Sequence, residues 1–376
     1  MAMKIAMLGH KRMPSREGGV EVVVKELSTR MVALGHEVTV YSRKGHNAAG
    51  KEYDQEKTCE YKGVAVKQVA TFDIKGLAAL TSSYFATKAA MEDSPDLIHF
   101  HAEGPCAMIP LAKRRGFRTV ATIHGLDWQR AKWGKLASAY IKFGEKMAAR
   151  HADEIIVLSR NVQNYFKTEY GRNTIFIPNG IESHTSVLPD IIKREYDLEK
   201  NGYALFLGRI VPEKGLHYLI KAFKGLETNM KLVVAGGSSD SRGYFEEVRK
   251  ESSSDPRILF TGFIQGQLLE ELYSNAAVYI LPSDLEGMPM SLLEAMSYGC
   301  CCLTSDIEEC STVLENAGLT FPRGDVAALR ESLAFLFANK TKLDELGSAA
   351  KLRVEANYNW NDVVRRTLDA YLGVAE

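Results

Sequence analysis

Apolar residues fall along this chain in short runs, and most of the stretches between them carry a helical period. Lys4–Gly9 (KIAMLG) is the first run and predicts a buried strand. Gly19–Leu34 places Val20, Val23, Val24, Leu27, Met31 and Leu34 on one side of a helix, and Gly35 ends it. Glu37–Tyr41, Leu97–His101, Thr119–His124, Glu154–Leu158 and Thr174–Ile177 read as further strands. Alternation of this kind predicts a parallel, doubly wound sheet.

Pro178-Asn179-Gly180 breaks the pattern, and residues 181–201 are polar and irregular. The alternation then restarts with strands at Tyr203–Leu207, Lys231–Ala235, Ile258–Phe260 and Ala277–Leu281. Residues 325–347 and 361–372 read as closing helices. The expected fold class is therefore α/β, with two Rossmann-like doubly wound domains facing across a cleft. The expected domains are 1–180, 181–360 and a closing helix in 361–376 that packs back on the first. Open parallel sheets bind ligands at the carboxyl ends of their strands, so two such edges suit a two-part substrate.

Composition narrows the class. A chain of 376 residues that is 45% hydrophobic and 25% charged is neither disordered, fibrous nor a disulfide scaffold. No apolar run approaches the roughly 18–20 residues of a membrane-spanning helix. Met1–Leu8 runs straight into a strand without the parts of a signal peptide, so a cytoplasmic location is expected. Cys59, Cys106, Cys300, Cys301, Cys302 and Cys310 show no C-x-x-C spacing, so reduced structural thiols are expected and a metal site is not. The net charge of zero conceals a division. Residues 1–180 hold 27 Lys+Arg against 18 Asp+Glu, a balance of +9, and the remainder carries −9. An anionic partner for the basic half follows, either nucleic acid or an anionic membrane surface.

Three segments carry candidate chemistry. Gly9 to Gly19 (GHKRMPSREGG) links a strand to a helix, where glycine amides and the helix dipole suit a phosphate; it also suits a plain turn. Its spacing lacks the dinucleotide fingerprint, which argues against a nicotinamide dehydrogenase. Gly208-Arg209-Ile210-Val211-Pro212-Glu213-Lys214-Gly215 puts two cations on one strand-to-helix loop, able to hold a diphosphate or simply to sit in solvent. After Ala277–Leu281 comes PSDLEGMPMSLLEAM, with Glu286 in the loop and Glu294 in the following helix. Carboxylates accept forked hydrogen bonds from vicinal hydroxyls of a sugar or ribose.

Taken with Ile123-His124-Gly125 and Ile177-Pro178-Asn179-Gly180, these motifs make the chain resemble the retaining glycosyltransferases of family 4, of GT-B architecture, over nearly its whole length. The resemblance implies sugar transfer from a nucleotide-sugar donor, of UDP type, with retention at the anomeric carbon and without a metal or other cofactor. It implies that Arg209 and Lys214 hold the donor diphosphate and that Gly18 and Gly19 offer amides to its distal phosphate. Glu294 would bind the ribose, and Glu286 the donor sugar. Backbone groups of Gly287, Met288, Pro289 and Met290 would line the sugar pocket. His124 would contact the sugar near the reacting centre, and Phe263 would lie near the base. Arg209, Lys214, Glu286 and His124 form the expected catalytic set. The family often has Phe-Gly where this chain has Met288-Pro289, a change in the sugar pocket, and often has Pro where Cys300 stands, a change in packing.

The acceptor side is written in charge. Lys113, Arg114, Arg115 and Arg118 form a cluster. The helical stretch Trp128–His151 adds Arg130, Lys132, Lys135, Lys142, Lys146 and Arg150, interleaved with aromatic and aliphatic residues. Such a surface suits peripheral attachment to the inner face of an anionic membrane, and equally a core helix with a solvated face. Many members of the resembled family dock this way to reach lipid-linked acceptors. His124-Gly125-Leu126-Asp127-Trp128 is also similar to bacterial enzymes of capsule and exopolysaccharide synthesis, so a saccharide or lipid-linked saccharide acceptor is expected. No nucleic-acid motif accompanies the basic half. A sugar-nucleotide epimerase of the same architecture and a non-catalytic nucleotide-sugar binding protein are the competing readings.

Overall fold

The computed structural model describes residues 2–15, 18–43, 59–72, 78–130, 133–237 and 241–375. The chain divides into two compact units. The first comprises Met1–Gly180 together with Trp360–Glu376, and the second Ile181–Asn359.

Among the described residues the first unit is built on an eight-stranded sheet. Its strands are β1 (Lys4–Leu8), β2 (Glu37–Arg43), β3 (Glu60–Tyr61), β4 (Val64–Val69), β5 (Leu97–His101), β6 (Arg118–Ile123), β7 (Glu154–Val157) and β8 (Ile175–Phe176). They lie in the order β3-β4-β2-β1-β5-β6-β7-β8, and every pairing except β3 with β4 is parallel. The central strands are mostly buried because helices cover both faces of a parallel sheet, although β5 (LIHFH) carries His99 and His101. Ile5, Met7, Ile98, Phe100, Val120 and Ile155 are buried there. β3 and β4 escape the sequence pattern. β4 (VAVKQV) sits near the sheet's margin and carries the exposed Lys67 and Gln68.

Helix α1 (Gly19–Ala33) buries Val23, Val24, Leu27 and Met31, the apolar side read from the sequence. Helices α2 (Ala78–Glu92), α3 (Ile109–Arg114), α4 (Lys135–His151) and α5 (Arg160–Tyr170) follow in chain order. The carboxyl-terminal helix of the chain, Trp360–Leu372, belongs to this unit too. Arg30 of α1 stacks 5.7 Å from the Trp360 ring, and Arg366 donates to the Phe176 carbonyl at 2.5 Å.

The second unit has six parallel strands in the order β11-β10-β9-β12-β13-β14. They are β9 (Tyr203–Leu207), β10 (Lys231–Ala235), β11 (Ile258–Gly262), β12 (Val278–Leu281), β13 (Cys301–Ser305) and β14 (Leu319–Phe321). Two apolar cores flank the sheet, one around Leu205, Tyr279 and Leu293, the other around Phe206, Phe223 and Leu333. Between the units' sheets in sequence lies α6 (Ile191–Tyr196), and α7 (Leu216–Lys224), α8 (Arg242–Ser252), α9 (Gln267–Asn275), α10 (Met290–Ser297) and α11 (Glu308–Leu314) follow. The segment 325–347 is not one helix. Asp325 caps α12 (Val326–Ala338) by accepting from the Ala327 and Ala328 amides, and the chain turns at Asn339 before α13 (Lys340–Asn357). Five of the six cysteines are buried and all six are free; burial pushes Cys301 up to about 12. The two domains are Rossmann-like, as the alternation predicts.

Candidate functional site

In the second unit β9 lies between β10 and β12, so the loops after β9 and β12 leave the sheet side by side. A change in winding direction at this place makes an open α/β sheet bind ligands there. The first of these loops holds Arg209 and Lys214, the second Glu286. Gly215 closes the first loop at φ +66°, and a Cβ there would lie 1.9 Å from the Pro282 carbonyl oxygen. Only glycine lets the two loops approach this closely. The Asp284 amide donates to the Glu213 carbonyl at 2.8 Å and completes the join.

Side chains seal the same join. Lys214 donates from Nζ to Glu286 Oε1 at 2.6 Å, and Ser283 donates from Oγ to the same oxygen at 2.6 Å. Both members of the ion pair are largely shielded, with side-chain exposures of 13% and 8%. Arg209 stands half-buried, two residues past the end of β9. Glu294, on α10, accepts from the Tyr273 hydroxyl at 3.0 Å. Gly287 and Pro289 are buried, and Met288 and Met290 pack against the apolar core. Those side chains are turned into the protein, so what this turn can present to a ligand is chiefly backbone. Phe263 follows β11, half-buried at the margin of the sheet.

In the first unit Gly18 caps α1 in an extended conformation and Gly19 opens the helix, exposed. Glu21, in the first turn, accepts from the Lys11 amide at 2.9 Å and anchors the preceding loop. His124 stands immediately after β6, 8% exposed. Its Nε2 lies 3.1 Å from Nδ1 of His101, the last residue of β5. Gly9 allows the neighbouring approach: at φ +110° its missing Cβ would meet the His101 carbonyl oxygen at 2.1 Å. Burial lowers His124 to about 4, with Arg130 adding to the effect and Asp127 opposing it. The ring is neutral at pH 7.

Several polar residues at these strand ends are not apparent from the motifs. His99, His101 and Glu103 alternate at and just past the end of β5 and are all buried. Glu103 accepts from the Asp127 amide at 2.8 Å; burial first, then the charges of Asp127 and Glu145, push its carboxyl well above the usual range. The H-x-H spacing of His99 and His101 on β5 is the available signal, since alternate strand residues share a face; Glu103 lies past the strand, beyond the left-handed Ala102.

The basic segment departs from its sequence reading. The helix begins only at Lys135; Asp127–Gln129 is a short 3₁₀ turn, and Lys132 lies outside the described residues. Lys113 is paired with Asp153 at 2.8 Å and Arg130 with Asp127 at 2.7 Å. Lys142 turns inward to Glu145 at 3.1 Å and lies 4.3 Å from the Trp128 ring centroid. These cations face partners inside the unit because the buried Glu145 and the strand-end acids need neutralising. Arg114, Arg115, Lys135, Lys146 and Arg150 remain exposed.

Among the described residues no group of three or more His, Cys, Asp or Glu side chains is placed to hold a metal ion. Nor is any helix among them long and apolar enough to cross a membrane. The family models settle the chain's kinship. Residues 17–184 match Glycosyltransferase Family 4, and residues 190–353 match Glycosyl transferases group 1. The chain belongs to the glycosyltransferase families that these two models describe.

The chain spans about half the length of the first curated relatives it matches, between 44% and 56% of each. An alignment to the glycogen synthase of Mycobacterium tuberculosis is more complete, covering 98% of this chain and 94% of that protein at 26% identity. Among solved structures, sucrose-phosphate synthase of Thermosynechococcus elongatus superposes with a TM-score of 0.84 at 22% identity, over 98% of both chains. HepE of Anabaena, solved in complex with UDP and glucose, superposes with a TM-score of 0.82 at 17% identity, over 99% of this chain and 100% of that one. Likeness at this level of identity shows the GT-B fold.

Proposed function

We propose that this glycosyltransferase moves a sugar, with retention, from a UDP-type nucleotide sugar to a saccharide or lipid-linked saccharide acceptor in surface polysaccharide synthesis. The observation that carries the reading is the joined pair of loops in the second unit, where Arg209, Lys214 and Glu286 gather at the carboxyl ends of β9 and β12. The complex of HepE with UDP and glucose supports the choice of donor.

In this reading Arg209 and Lys214 hold the diphosphate and stabilise the charge that grows on it as the sugar–phosphate bond breaks. They do so without a metal ion. Gly18 and Gly19 offer the positive end of α1 to the distal phosphate. Glu294 accepts from the ribose hydroxyls, held in place by Tyr273. Glu286 orders the sugar hydroxyls while fixing Lys214. Backbone groups of Gly287–Met290 line the sugar pocket, His124 contacts the sugar, and Phe263 lies near the base. The acceptor attacks from the face the diphosphate leaves, with the departing phosphate taking its proton.

The acceptor side favours an anionic membrane surface. The outward side of α4 presents Leu136, 90% exposed, and Phe143, 49% exposed, beside Lys135, Lys146 and Arg150. Thermal-shift screening against a panel of nucleotides and nucleotide sugars tests the donor assignment, because a ligand bound only by the folded state raises its stability. Stabilisation by UDP and a UDP-sugar is the expected result. Stabilisation by another nucleotide series alone excludes the UDP assignment.

A further inference from the structure

Three histidines gather on β5 and just past the end of β6, and the partners of their ring nitrogens differ. His99 is fully engaged: Nδ1 lies 2.6 Å from the Tyr371 hydroxyl and Nε2 lies 2.7 Å from the Thr122 hydroxyl. His101 packs against it, with ring centroids 4.0 Å apart. His101 has only half such a set. Its Nδ1 meets His124 Nε2 at 3.1 Å, and its Nε2 is buried without a partner among the described residues.

That asymmetry fixes where the protons are. Two neutral imidazoles sharing one hydrogen bond have two arrangements. If His124 donated, His101 would carry its proton on Nε2, leaving a buried N–H with nothing to accept it. Orphaned buried donors are rare and costly, whereas an unshared lone pair on a neutral ring nitrogen leaves no proton stranded. If His101 donates from Nδ1, only such a lone pair is left over.

We propose that His101 is a positioning residue that donates from Nδ1 to His124 Nε2 and so holds the His124 proton on Nδ1. Nδ1 is also the His124 nitrogen without a hydrogen-bond partner among the described residues. His124 therefore presents a fixed N–H donor to a substrate oxygen and does not act as a base through that atom. Burial keeps both rings neutral, which the arrangement requires. The assignment of a substrate contact to His124 rests on the function proposed above; the tautomer does not.

The test is long-range proton–nitrogen NMR correlation on the full chain labelled at histidine, with His124→Ala and His101→Leu supplying assignments. The expected wild-type result is a proton on Nδ1 of both His101 and His124. A proton on His124 Nε2 overturns the proposal, whatever the variants do. In His101→Leu the His124 tautomer should become mixed and turnover should fall about tenfold, the scale of one hydrogen bond. His101→Asn, whose side-chain amide can replace the Nδ1 donor, should recover most of that loss. An unchanged His124 tautomer in His101→Leu also overturns the proposal. If the tautomer is as assigned while His124→Ala keeps full turnover, the positioning of His124 stands and its substrate contact falls.

Discussion

Lys214 and Glu286, 72 residues apart in sequence, meet at 2.6 Å and tie the loop after β9 to the loop after β12. The cation proposed for the diphosphate and the carboxylate proposed for the sugar therefore form one unit before any donor arrives. Lys214→Ala and Arg209→Ala should each lower kcat more than they raise KM, because their contacts strengthen as charge develops on the leaving group. A variant that alters KM alone contradicts the leaving-group role. The ion pair adds a second expectation. In a double-mutant cycle of Lys214→Met and Glu286→Gln, unfolding should show a coupling of about 1–3 kcal/mol, since the two side chains share a shielded contact. Additive single effects would mean that the pair does not order the loops.

Glu294 is placed differently. One carboxylate oxygen takes the Tyr273 hydroxyl at 3.0 Å, which fixes the direction of the group. Glu294→Ala should weaken donor binding by roughly 1.5–3 kcal/mol, the cost of a hydrogen bond to a charged group. Tyr273→Phe should cost less, about 1 kcal/mol, since it loosens the carboxylate without removing it. Titration calorimetry with UDP measures both. Equal affinity in Glu294→Ala and wild type removes the ribose assignment.

The sequence reveals the second unit's site better than the first's. Arg209, Lys214 and Glu286 sit in loops after strongly apolar strands, and Glu294 on the helix that follows the second of them, so the spacing in sequence maps directly onto neighbouring strand ends. Their mutual bonding was not legible, because the approach of the two loops depends on Gly215 packing against a backbone carbonyl. The basic residues of the first unit misled for a related reason. Charge counts record cations, but Lys113, Arg130 and Lys142 spend their charge on acids brought near by the fold. β14, with only Leu319–Phe321, is too short for a pattern to show.

The buried histidines give the first unit a pH dependence. Burial lowers His10 and His99 to about 3 and His124 to about 4, and lowers His101 well below its usual value. Each is neutral when folded and free to charge when unfolded below about 6.5. The unfolded state then binds more protons, so stability is full above about pH 6.5 and is lost as pH falls towards 4. Each such group contributes up to about 1.4 kcal/mol per pH unit in that window. Glu103 opposes them, because its raised carboxyl holds a proton in the folded state that the unfolded state releases above about 4.5. Four histidines outweigh one carboxyl. Urea unfolding followed at pH 7, 6 and 5 should show a steadily falling midpoint. A midpoint constant over that range would place the histidines in contact with water.

The last expectation concerns the outward side of α4. Leu136 and Phe143 project beside Lys135, Lys146 and Arg150, while Ile141, Gly144, Ala148 and Ala149 face the core. An apolar pair flanked by cations suits the boundary between headgroups and acyl chains. Each nearby cation adds about 1 kcal/mol at an anionic surface, and the field decays within roughly 8 Å at physiological salt. Lys113 and Lys142, already paired with Asp153 and Glu145, should contribute little. Binding to vesicles rich in phosphatidylserine should therefore be reversible, should weaken at high salt and should be slight on neutral vesicles. Lys146→Glu with Arg150→Glu should abolish most of it, and Leu136→Ser with Phe143→Ser should remove the part that resists salt. Because these side chains point to solvent, thermal unfolding of the variants should match wild type. Co-sedimentation across a salt series measures each effect. Equal binding to neutral and anionic vesicles, or none to either, would defeat the membrane reading and leave a soluble saccharide as the acceptor.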